Sequence, residues 1–292
     1  MTRTWKSLAI AGLVLSLCGA ASARDRHVLW TVAGKHNTVY LLGSIHVLRA
    51  SDGGLPAVAD AAYADAEHLV MEIDMDDALA QPEALAGTMQ RTALLPPGQT
   101  LRSVLGEDYP KVQKHAADAG LDLAMVDGYA PWFVAITMMA IELAKRGFSP
   151  ELGIEQTLTA RATADHKPIV GLETPEQQFA VLGSLPLAQQ KHFLLMTLEE
   201  VDQVDAELND LLAAWKSGDT QKLASLLSKE FDEFPELYRP LTEDRNRAWL
   251  PRIEDMLDDD DDYLVVVGAL HLVGHNSVVE LLQQAGYKVT QQ

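Results

Sequence analysis

The feature that most constrains this fold is an apolar run ending in Gly-x-x-His, which occurs near both ends of the chain. The first copy reads Val-Tyr-Leu-Leu-Gly-Ser-Ile-His at 39–46, and the second reads Tyr-Leu-Val-Val-Val-Gly-Ala-Leu-His at 263–271. Continuous β-branched runs are typical of strands buried on both faces of a sheet flanked by helices. Because ligands in open α/β sheets collect at the carboxyl ends of strands, we expect His46 and His271 to meet there.

The first 23 residues have the pattern of a cleaved signal peptide. A basic start precedes an apolar stretch too short to span a bilayer, and Ala-Ser-Ala at 21–23 offers a cleavage site. We therefore expect an exported protein, periplasmic or secreted. Leu17 precedes Cys18 where a lipoprotein signal requires a small residue, so a lipoprotein is the less favoured interpretation. Cleavage would remove the single cysteine, which excludes a cysteine nucleophile.

Charge and length restrict the partners of the remaining chain, residues 24–292, which we expect to form a single domain. The formal net charge is −19 for the whole chain and −21 without Arg3 and Lys6 of the predicted signal peptide. This charge repels nucleic acid and anionic lipid surfaces, so we expect neither as a partner. No later apolar stretch reaches transmembrane length, so we expect no membrane-spanning segment in the mature chain. A homodimer remains open.

Hydrophobic periodicity predicts an α/β (α+β) fold with a central mixed sheet, and each end of the chain supplies one strand that runs into Gly-x-x-His. Strands are predicted at 27–32, 38–42, 68–74, 168–173, 263–268 and 287–290. Large helical insertions are predicted at about 76–147 and 186–257, the first of them over the site. A further helix is predicted to start at Ser149, with serine as N-cap and proline next.

Two histidines and a carboxylate at strand ends are the donors of a divalent-metal site. Glu72 follows four apolar residues, and an unpaired carboxylate is costly to bury there. It therefore needs a metal ion, an arginine or backbone amides as its partner. Asp74 shares its side of the strand and either assists or caps the next helix.

Three other polar residues carry less signal on pattern alone. Glu155 has the pattern of a solvated helix residue, Glu173 that of an ordinary residue before a capped helix, and Arg245 that of a surface residue. The sequence has no Gly-x-Ser-x-Gly, Walker or dinucleotide-binding motif, which disfavours serine hydrolase, nucleotide and nicotinamide chemistry.

The ordered set of motifs over the mature chain resembles the TraB/GumN family. The set comprises Leu-Leu-Gly-Ser-Ile-His at 41–46, Met-Glu-Ile-Asp at 71–74, Gly-Ile-Glu at 153–155, Gly-Leu-Glu-Thr-Pro-Glu-Gln-Gln at 171–178, Arg-Asn at 245–246 and Val-Val-Gly-Ala-Leu-His-Leu-Val-Gly at 266–274. That family includes the Tiki proteases and is distantly similar to erythromycin-esterase-like and ChaN-like proteins. The resemblance implies two related halves and a metal-dependent hydrolase, with Mn²⁺ or Co²⁺ as the usual ion and Zn²⁺ as an alternative.

By position, His46 and His271 match the two motif histidines of that family, and Glu72 matches the glutamate of its first β-α-β unit. Further polar positions of the family match Glu155, Glu173 and Arg245. We expect His46, His271 and Glu72 to hold the divalent ion. Our first hypothesis is an exported metal-dependent hydrolase, foremost a peptidase, acting on a peptide or another small exported substrate. Glu155 or Glu173 would be the general base or would orient a histidine, and the remaining catalytic candidate, Arg245, would stabilise an oxyanion.

Two alternatives stay open. The first is a metal-free esterase-like hydrolase, with His46 as the base, Glu72 orienting it and His271 assisting. The second is a non-catalytic envelope protein that binds a peptide or a polysaccharide.

Overall fold

The protein is represented by a computed structural model, which describes residues 26–292 apart from 201–203, 230 and 232–234. The predicted signal peptide lies outside the described residues. Within the described ranges, no helix is both long enough and apolar enough to cross a membrane.

A mixed six-stranded sheet forms the centre of the fold. Its strands are β1 (Leu29–Ala33), β2 (Thr38–Ser44), β3 (His68–Met71), β4 (Ile169–Gly171), β5 (Tyr263–Gly268) and β6 (Val289–Gln291). Their spatial order is β4-β3-β5-β2-β1-β6. The four strands β4, β3, β5 and β2 run parallel to one another, and β1 is antiparallel to both β2 and β6. The predicted mixed sheet, the first hairpin and the final strand are confirmed.

The two Gly-x-x-His runs are neighbouring central strands. Four consecutive apolar residues of β5 are at most 1% exposed, as expected for a strand covered on both faces. Burying each such valine or leucine contributes about 1.5–3 kcal/mol. In the β2–β5 register Gly43 lies opposite Val267 and Ser44 opposite Gly268, so both strands end at the same edge of the sheet.

Helices make up most of the remaining chain. They are α1 (Ala57–Asp65), α2 (Met75–Ala80), α3 (Pro82–Ala93), α4 (Leu101–Leu105), α5 (Tyr109–Ala119), α6 (Pro131–Lys145), α7 (Ile154–Asp165), α8 (Pro175–Gly183), α9 (Leu187–Glu200), α10 (Val204–Lys216), α11 (Thr220–Lys229), α12 (Pro235–Tyr238), α13 (Asp244–Leu257) and α14 (Val278–Gln284). A π-helical turn, Arg239–Glu243, joins α12 to α13. Helices α2 to α6 fall within the predicted segment 76–147, and α9 to α13 within 186–257.

Apolar side chains form two separate cores. One surrounds the sheet, and the other is built from α3 to α6, α8 and α9, with Trp132 and Leu194 among its buried members. The apolar helix α6 contributes one face to this second core. The helical part of the chain therefore has a core of its own beside the sheet.

The start of α7 differs from the prediction. Ser149 precedes a short 3₁₀ turn, Pro150–Leu152, and the α-helix begins only at Ile154, with Gly153 as its N-cap. The loop after β2 sets this boundary, because the Ile154 N–H donates to the Ile45 carbonyl. A tertiary contact therefore overrides the local proline signal.

Gly43 offers a test of the packing between β2 and its surroundings. A Cβ atom there would lie 2.5 Å from Val28 Cγ1 and 3.2 Å from Ala269 Cα. We expect Gly43→Ala to lower the free energy of unfolding by about 1–3 kcal/mol, as overpacking does. The control is Gly54→Ala, whose Cβ would meet nothing within 4 Å and which should stay within about 0.5 kcal/mol. Denaturant unfolding measures both, and equal stability of the two variants would contradict the packing.

Candidate functional site

The polar candidates meet where the parallel strands end. Glu72 directly follows β3, Glu173 lies two residues beyond β4, and His46 lies two residues beyond β2. His271 ends a 3₁₀ turn that begins just after β5. Parallel strands place their carboxyl ends at one edge, and that topology brings these residues of distant sequence together.

Arg245, from the first turn of α13, lies at the centre of the cluster. Its Nη2 is 2.5 Å from Glu72 Oε2 and 2.5 Å from Glu173 Oε1, and the arginine side chain is only 12% exposed. The surface placement suggested by pattern alone is therefore wrong. The reason is the packing of α13, since Arg245 lies one turn before the buried Trp249 and shares its face of the helix.

Every N–H group of Arg245 faces a partner. Nε donates to Glu173, Nη1 donates to the Leu241 carbonyl, and Nη2 bridges the two glutamates. Glu173 also accepts a hydrogen bond from Trp249 Nε1 at 3.3 Å. Glu173 is thus a buried partner of the arginine rather than an ordinary residue before a helix.

Glu72 has both of the non-metal partners that we expected for a buried carboxylate at this position, an arginine and a backbone amide. Its Oε2 pairs with Arg245 and accepts from Gln178 Nε2 at 3.0 Å, and its Oε1 accepts the Gly268 N–H at 2.7 Å. Burial opposes the charge of Glu72, but the surrounding positive charge and the Gly268 N–H keep the pKa of this carboxyl below its ordinary value. Glu72 is therefore ionised.

Hydrogen bonds fix the tautomer of the buried His271. Its Nδ1 lies 2.6 Å from Asn246 Oδ1, an atom that only accepts, so Nδ1 carries the proton. Its Nε2 lone pair then accepts from Arg245 Nη1 at 3.1 Å. Burial lowers the pKa of His271 to about 3 against the opposing pull of Glu72, which makes the ring neutral.

His46 lies on the open side of the cluster, with its side chain 66% exposed. Its Nδ1 is 2.6 Å from Glu155 Oε1, and that same oxygen accepts a hydrogen bond from the buried Ser44 hydroxyl. Surrounding protein opposes protonation, but the carboxylate of Glu155 outweighs it and raises the pKa of His46 to about 9. Glu155 is therefore the partner of His46 rather than a solvated helix residue.

The backbone at Gly268 explains why this position has no side chain. A Cβ atom there would lie 3.3 Å from both Glu72 Oε1 and His46 Nε2. These two donor atoms thus face the same point of the backbone. His271 Nε2 is 3.8 Å from Glu72 Oε1, which places all three donors around one corner of the site.

Some predicted residues lie outside the cluster, and others in it were missed. Asp74 caps α2 by accepting from the Asp77 N–H at 3.0 Å, as its alternative interpretation held. Four residues that were not among our candidates contact the site: Ser44, Gln178, Asn246 and Trp249. Three of them, Ser44, Gln178 and Asn246, stand inside the quoted motifs, and that position was the one signal for them.

The donor set suits a divalent ion. Each histidine has Nδ1 engaged by an outer partner, Glu155 or Asn246, and this arrangement orients metal-binding imidazoles in general. In the described part of the chain, no three side chains of His, Cys, Asp or Glu lie close enough together to hold a metal ion. At this site Arg245 Nη1 engages the His271 lone pair that a metal would use.

Besides a cavity of about 400 Å³ that Glu173, Arg245 and Trp249 help to line, two further openings lie beside the polar cluster. A cavity of about 320 Å³ is lined mainly by apolar side chains of α6 and by Val47, the residue after His46. A second cavity, of about 510 Å³, lies beside the edge strand β4, and Glu173 forms part of its wall. Both volumes are in the range of small-molecule and side-chain pockets.

Comparison with known proteins agrees with this architecture. The model of the TraB/PrgY/gumN family matches residues 28–291. The chain is 27% identical over 271 residues to the uncharacterised protein YbaP of Shigella flexneri and to that of Escherichia coli K12, covering 90% of this chain and 96% of each relative. It is 24% identical over 332 aligned residues to metalloprotease TIKI2 of Xenopus tropicalis, covering 93% of this chain but 61% of that protein.

No solved structure matches the chain. The family model spans nearly all of the described residues, including the two Gly-x-x-His strands and every residue of the polar cluster. The chain therefore belongs to the TraB/PrgY/gumN family.

Proposed function

We propose that this protein is an exported, metal-dependent hydrolase that cleaves peptides. The proposal rests on the matching arrangement of the two histidines. Nδ1 of His46 contacts Glu155, and Nδ1 of His271 contacts Asn246. Nε2 of His46 faces Gly268, and Nε2 of His271 faces Glu72. Imidazoles used only for structure have no need of two such matched arrangements around one buried carboxylate. Similarity to a metalloprotease adds weight to peptide hydrolysis.

In this proposal His46 and His271 bind the ion through Nε2, and Glu72 binds it through Oε1. A bound divalent ion, with Mn²⁺ or Co²⁺ preferred and Zn²⁺ as the alternative, would lower the pKa of a water molecule and polarise the substrate carbonyl. Asn246 holds the ring of His271 in the tautomer that such binding requires. Arg245 Nη1 has to leave His271 Nε2 when an ion is bound, because one lone pair serves one partner.

Two carboxylates compete for the role of general base. Both oxygens of Glu173 are engaged by Arg245, and one of them also by Trp249. Glu155 uses Oε1 for His46 and Ser44, while its buried Oε2 has no hydrogen-bond partner within the described residues. We therefore assign to Glu155 both the orientation of His46 and the acceptance of the proton from water.

Arg245 fits a positioning role better than the oxyanion role of our first hypothesis. Its donors already bridge Glu72, Glu173 and His271, and an oxyanion would have to displace one of them. In the proposed enzyme it keeps Glu72 ionised and fixes its orientation. The apolar cavity beside Val47 is the proposed site for an apolar side chain of the substrate.

The test combines metal analysis with cleavage of a peptide library. The purified protein is dialysed against Mn²⁺, Co²⁺, Zn²⁺ or a chelator, then assayed for bound metal and for new peptide termini. We expect about one equivalent of metal and cleavage that disappears with the chelator. A folded protein that neither binds metal nor cleaves any peptide would refute the proposal and favour a binding protein.

One observation favours the metal-free alternative. Arg245 already places a positive charge at His271 Nε2 and Glu72, where the ion would lie. His46 would then be the base through its neutral form, which is the minor form at neutral pH because Glu155 raises the pKa of His46 to about 9. Glu155 rather than Glu72 orients the ring. Hydrolysis that persists after exhaustive chelation would establish this alternative.

The role of Glu155 is testable by a charge-neutral replacement. We expect Glu155→Gln to weaken metal binding about 10- to 100-fold, as loss of an outer partner does, and to lower kcat by a further factor of about 100 or more. The matched control is Glu151→Gln, since Glu151 is exposed and lies one turn earlier. Titration calorimetry and steady-state kinetics measure both effects. Unchanged kcat in the Glu155 variant would remove it as the base.

A further inference from the structure

The cavity beside β4 contains an open edge of the sheet. Strand β4 is the terminal strand and pairs with β3 alone. Three consecutive strand residues, Ile169, Val170 and Gly171, line the cavity, and all three are partly exposed. An unpaired strand edge facing a cavity is a template for an additional strand.

The ladder shows which backbone groups are open. Leu69 N–H donates to the Pro168 carbonyl, and Leu172 N–H donates to the Met71 carbonyl. In a parallel pair the residues that bond a given neighbour alternate, so Val170 faces β3 while Ile169 and Gly171 face away. The N–H and C=O groups of those two residues therefore point to the outer edge.

The charge of the cavity wall selects the partner. Four carboxylates line it: Asp74, Asp77, Glu173 and Glu176. No lysine, arginine or histidine is among the residues that line it, although Arg245 pairs with Glu173 and Arg91 pairs with Glu176 from outside. Within the part of the chain that the structure describes, neither Asp74 nor Asp77 forms an ion pair, so the wall carries more negative than positive charge.

Apolar side chains form much of the remaining wall, beside Gln81, Thr88 and Thr174. Ile73 and Ala78 are buried at its base, with Leu85 of α3 opposite the strand. In a strand, successive side chains point to opposite faces, so one set can contact apolar residues while the other reaches the carboxylates. The cavity and the polar cluster share Glu173, so a chain seated here leads to the proposed catalytic residues.

We propose that an extended peptide with basic side chains binds in this groove by adding a strand to the outer edge of β4. The inference rests on the proposed function in naming the substrate as a peptide. Main-chain hydrogen bonds to Ile169 and Gly171 supply affinity, and the carboxylates supply the preference for lysine or arginine. The scissile bond lies beyond the carboxyl end of β4, beside Glu72.

Binding is measured by fluorescence anisotropy on the His46→Ala protein, which prevents turnover. The probe is a fluorescein-labelled octapeptide of alternating lysine and valine, compared with one of alternating glutamate and valine. Two further probes carry N-methyl groups on every lysine or on every valine, since these sets point to opposite edges of the strand. We expect the lysine peptide to bind and the glutamate peptide not to bind. One of the two methylated peptides should lose at least tenfold in affinity, and the other should bind like the unmethylated lysine peptide.

Variants of the groove give an independent arm. Ile169→Pro removes one outward N–H group and leaves the hydrogen bonds between β3 and β4 in place. It should weaken peptide binding about two- to tenfold. Asp77→Asn should weaken it about two- to fivefold at low salt. The matched control is Asp76→Asn, because the Asp76 side chain bonds Thr163 and does not line the cavity.

Equal affinity for the unmethylated and both methylated peptides, or equal effects of the two aspartate variants, would overturn the inference. Cleavage by wild-type protein with added Mn²⁺ or Co²⁺ is measured separately. If the groove variants cleave peptide as fast as the wild type, this inference is refuted and the proposed function stays intact. Binding with the expected pattern but without cleavage supports the groove and refutes the hydrolase.

Discussion

Replacing His46 with alanine is expected to abolish metal-dependent hydrolysis while leaving the fold intact. The imidazole is largely exposed, so its removal leaves no buried cavity and no orphaned group in the core. It is also one of the three proposed ligands, and its loss should weaken Mn²⁺ or Co²⁺ binding by more than the ~100-fold cost of an outer partner. Titration calorimetry and peptide cleavage are the measurements, with thermal unfolding as the check on folding.

His275→Ala is the matched control for this experiment. Its imidazole is 75% exposed and pairs with Glu280 at 3.1 Å, much as His46 pairs with Glu155, but it lies outside the polar cluster. We expect that variant to bind metal and cleave peptide as wild type does. Equal metal affinity in the His46 and His275 variants would show that His46 is not a ligand.

The second large effect is on stability. Arg245→Met should lower the free energy of unfolding by about 3–5 kcal/mol, because it leaves Glu72 and Glu173 buried without their shared cation. Methionine keeps much of the buried stem and its contact with Trp249, so lost charge rather than lost volume accounts for the change. Urea unfolding at neutral pH measures it.

Arg239→Met provides the comparison. Its pair with Asp244 is exposed, with side-chain accessibilities of 74% and 50%, so its loss should cost no more than about 1 kcal/mol. Adding Glu173→Gln to Arg245→Met should recover part of the stability, because one uncompensated charge is then removed. Two arginine variants of equal stability would contradict the central role of the guanidinium.

Local sequence patterns were sufficient for the elements and for the strand ends. The run at 263–268 predicted a buried central strand because four consecutive residues cover both faces, and β5 has that environment. The Thr174 capping box and the Asp74 cap are likewise local, since each bond spans three residues. The helix start at Ser149 was misplaced because a backbone bond from the loop after β2 decides it.

Arg245 shows where pattern reasoning ends. Its neighbours on α13 are charged, and composition alone places such a residue on the surface. The decisive fact is that the same face of the helix carries Trp249 and packs against the strand ends, which no local window contains.

The partners of the two histidines were decided in the same way. His46 is oriented by Glu155, 109 positions along the printed sequence. Our first hypothesis left the orientation of a histidine open between Glu155 and Glu173, and the metal-free alternative gave it to Glu72. The proton on His271 is fixed by Asn246 and its lone pair by Arg245, both on α13.

The sequence by itself determined which strands occupy the centre of the sheet and that His46, Glu72, Glu173 and His271 stand at strand ends. Strand burial and capping depend on residues a few positions apart, and the printed order contains that information. Only the tertiary structure decided which nitrogen of His271 carries its proton, which carboxylate holds His46, and that Arg245 lies between Glu72 and Glu173. These are hydrogen bonds across chain separations that close only when the parallel strands align, and their geometry is set by packing rather than by any local preference.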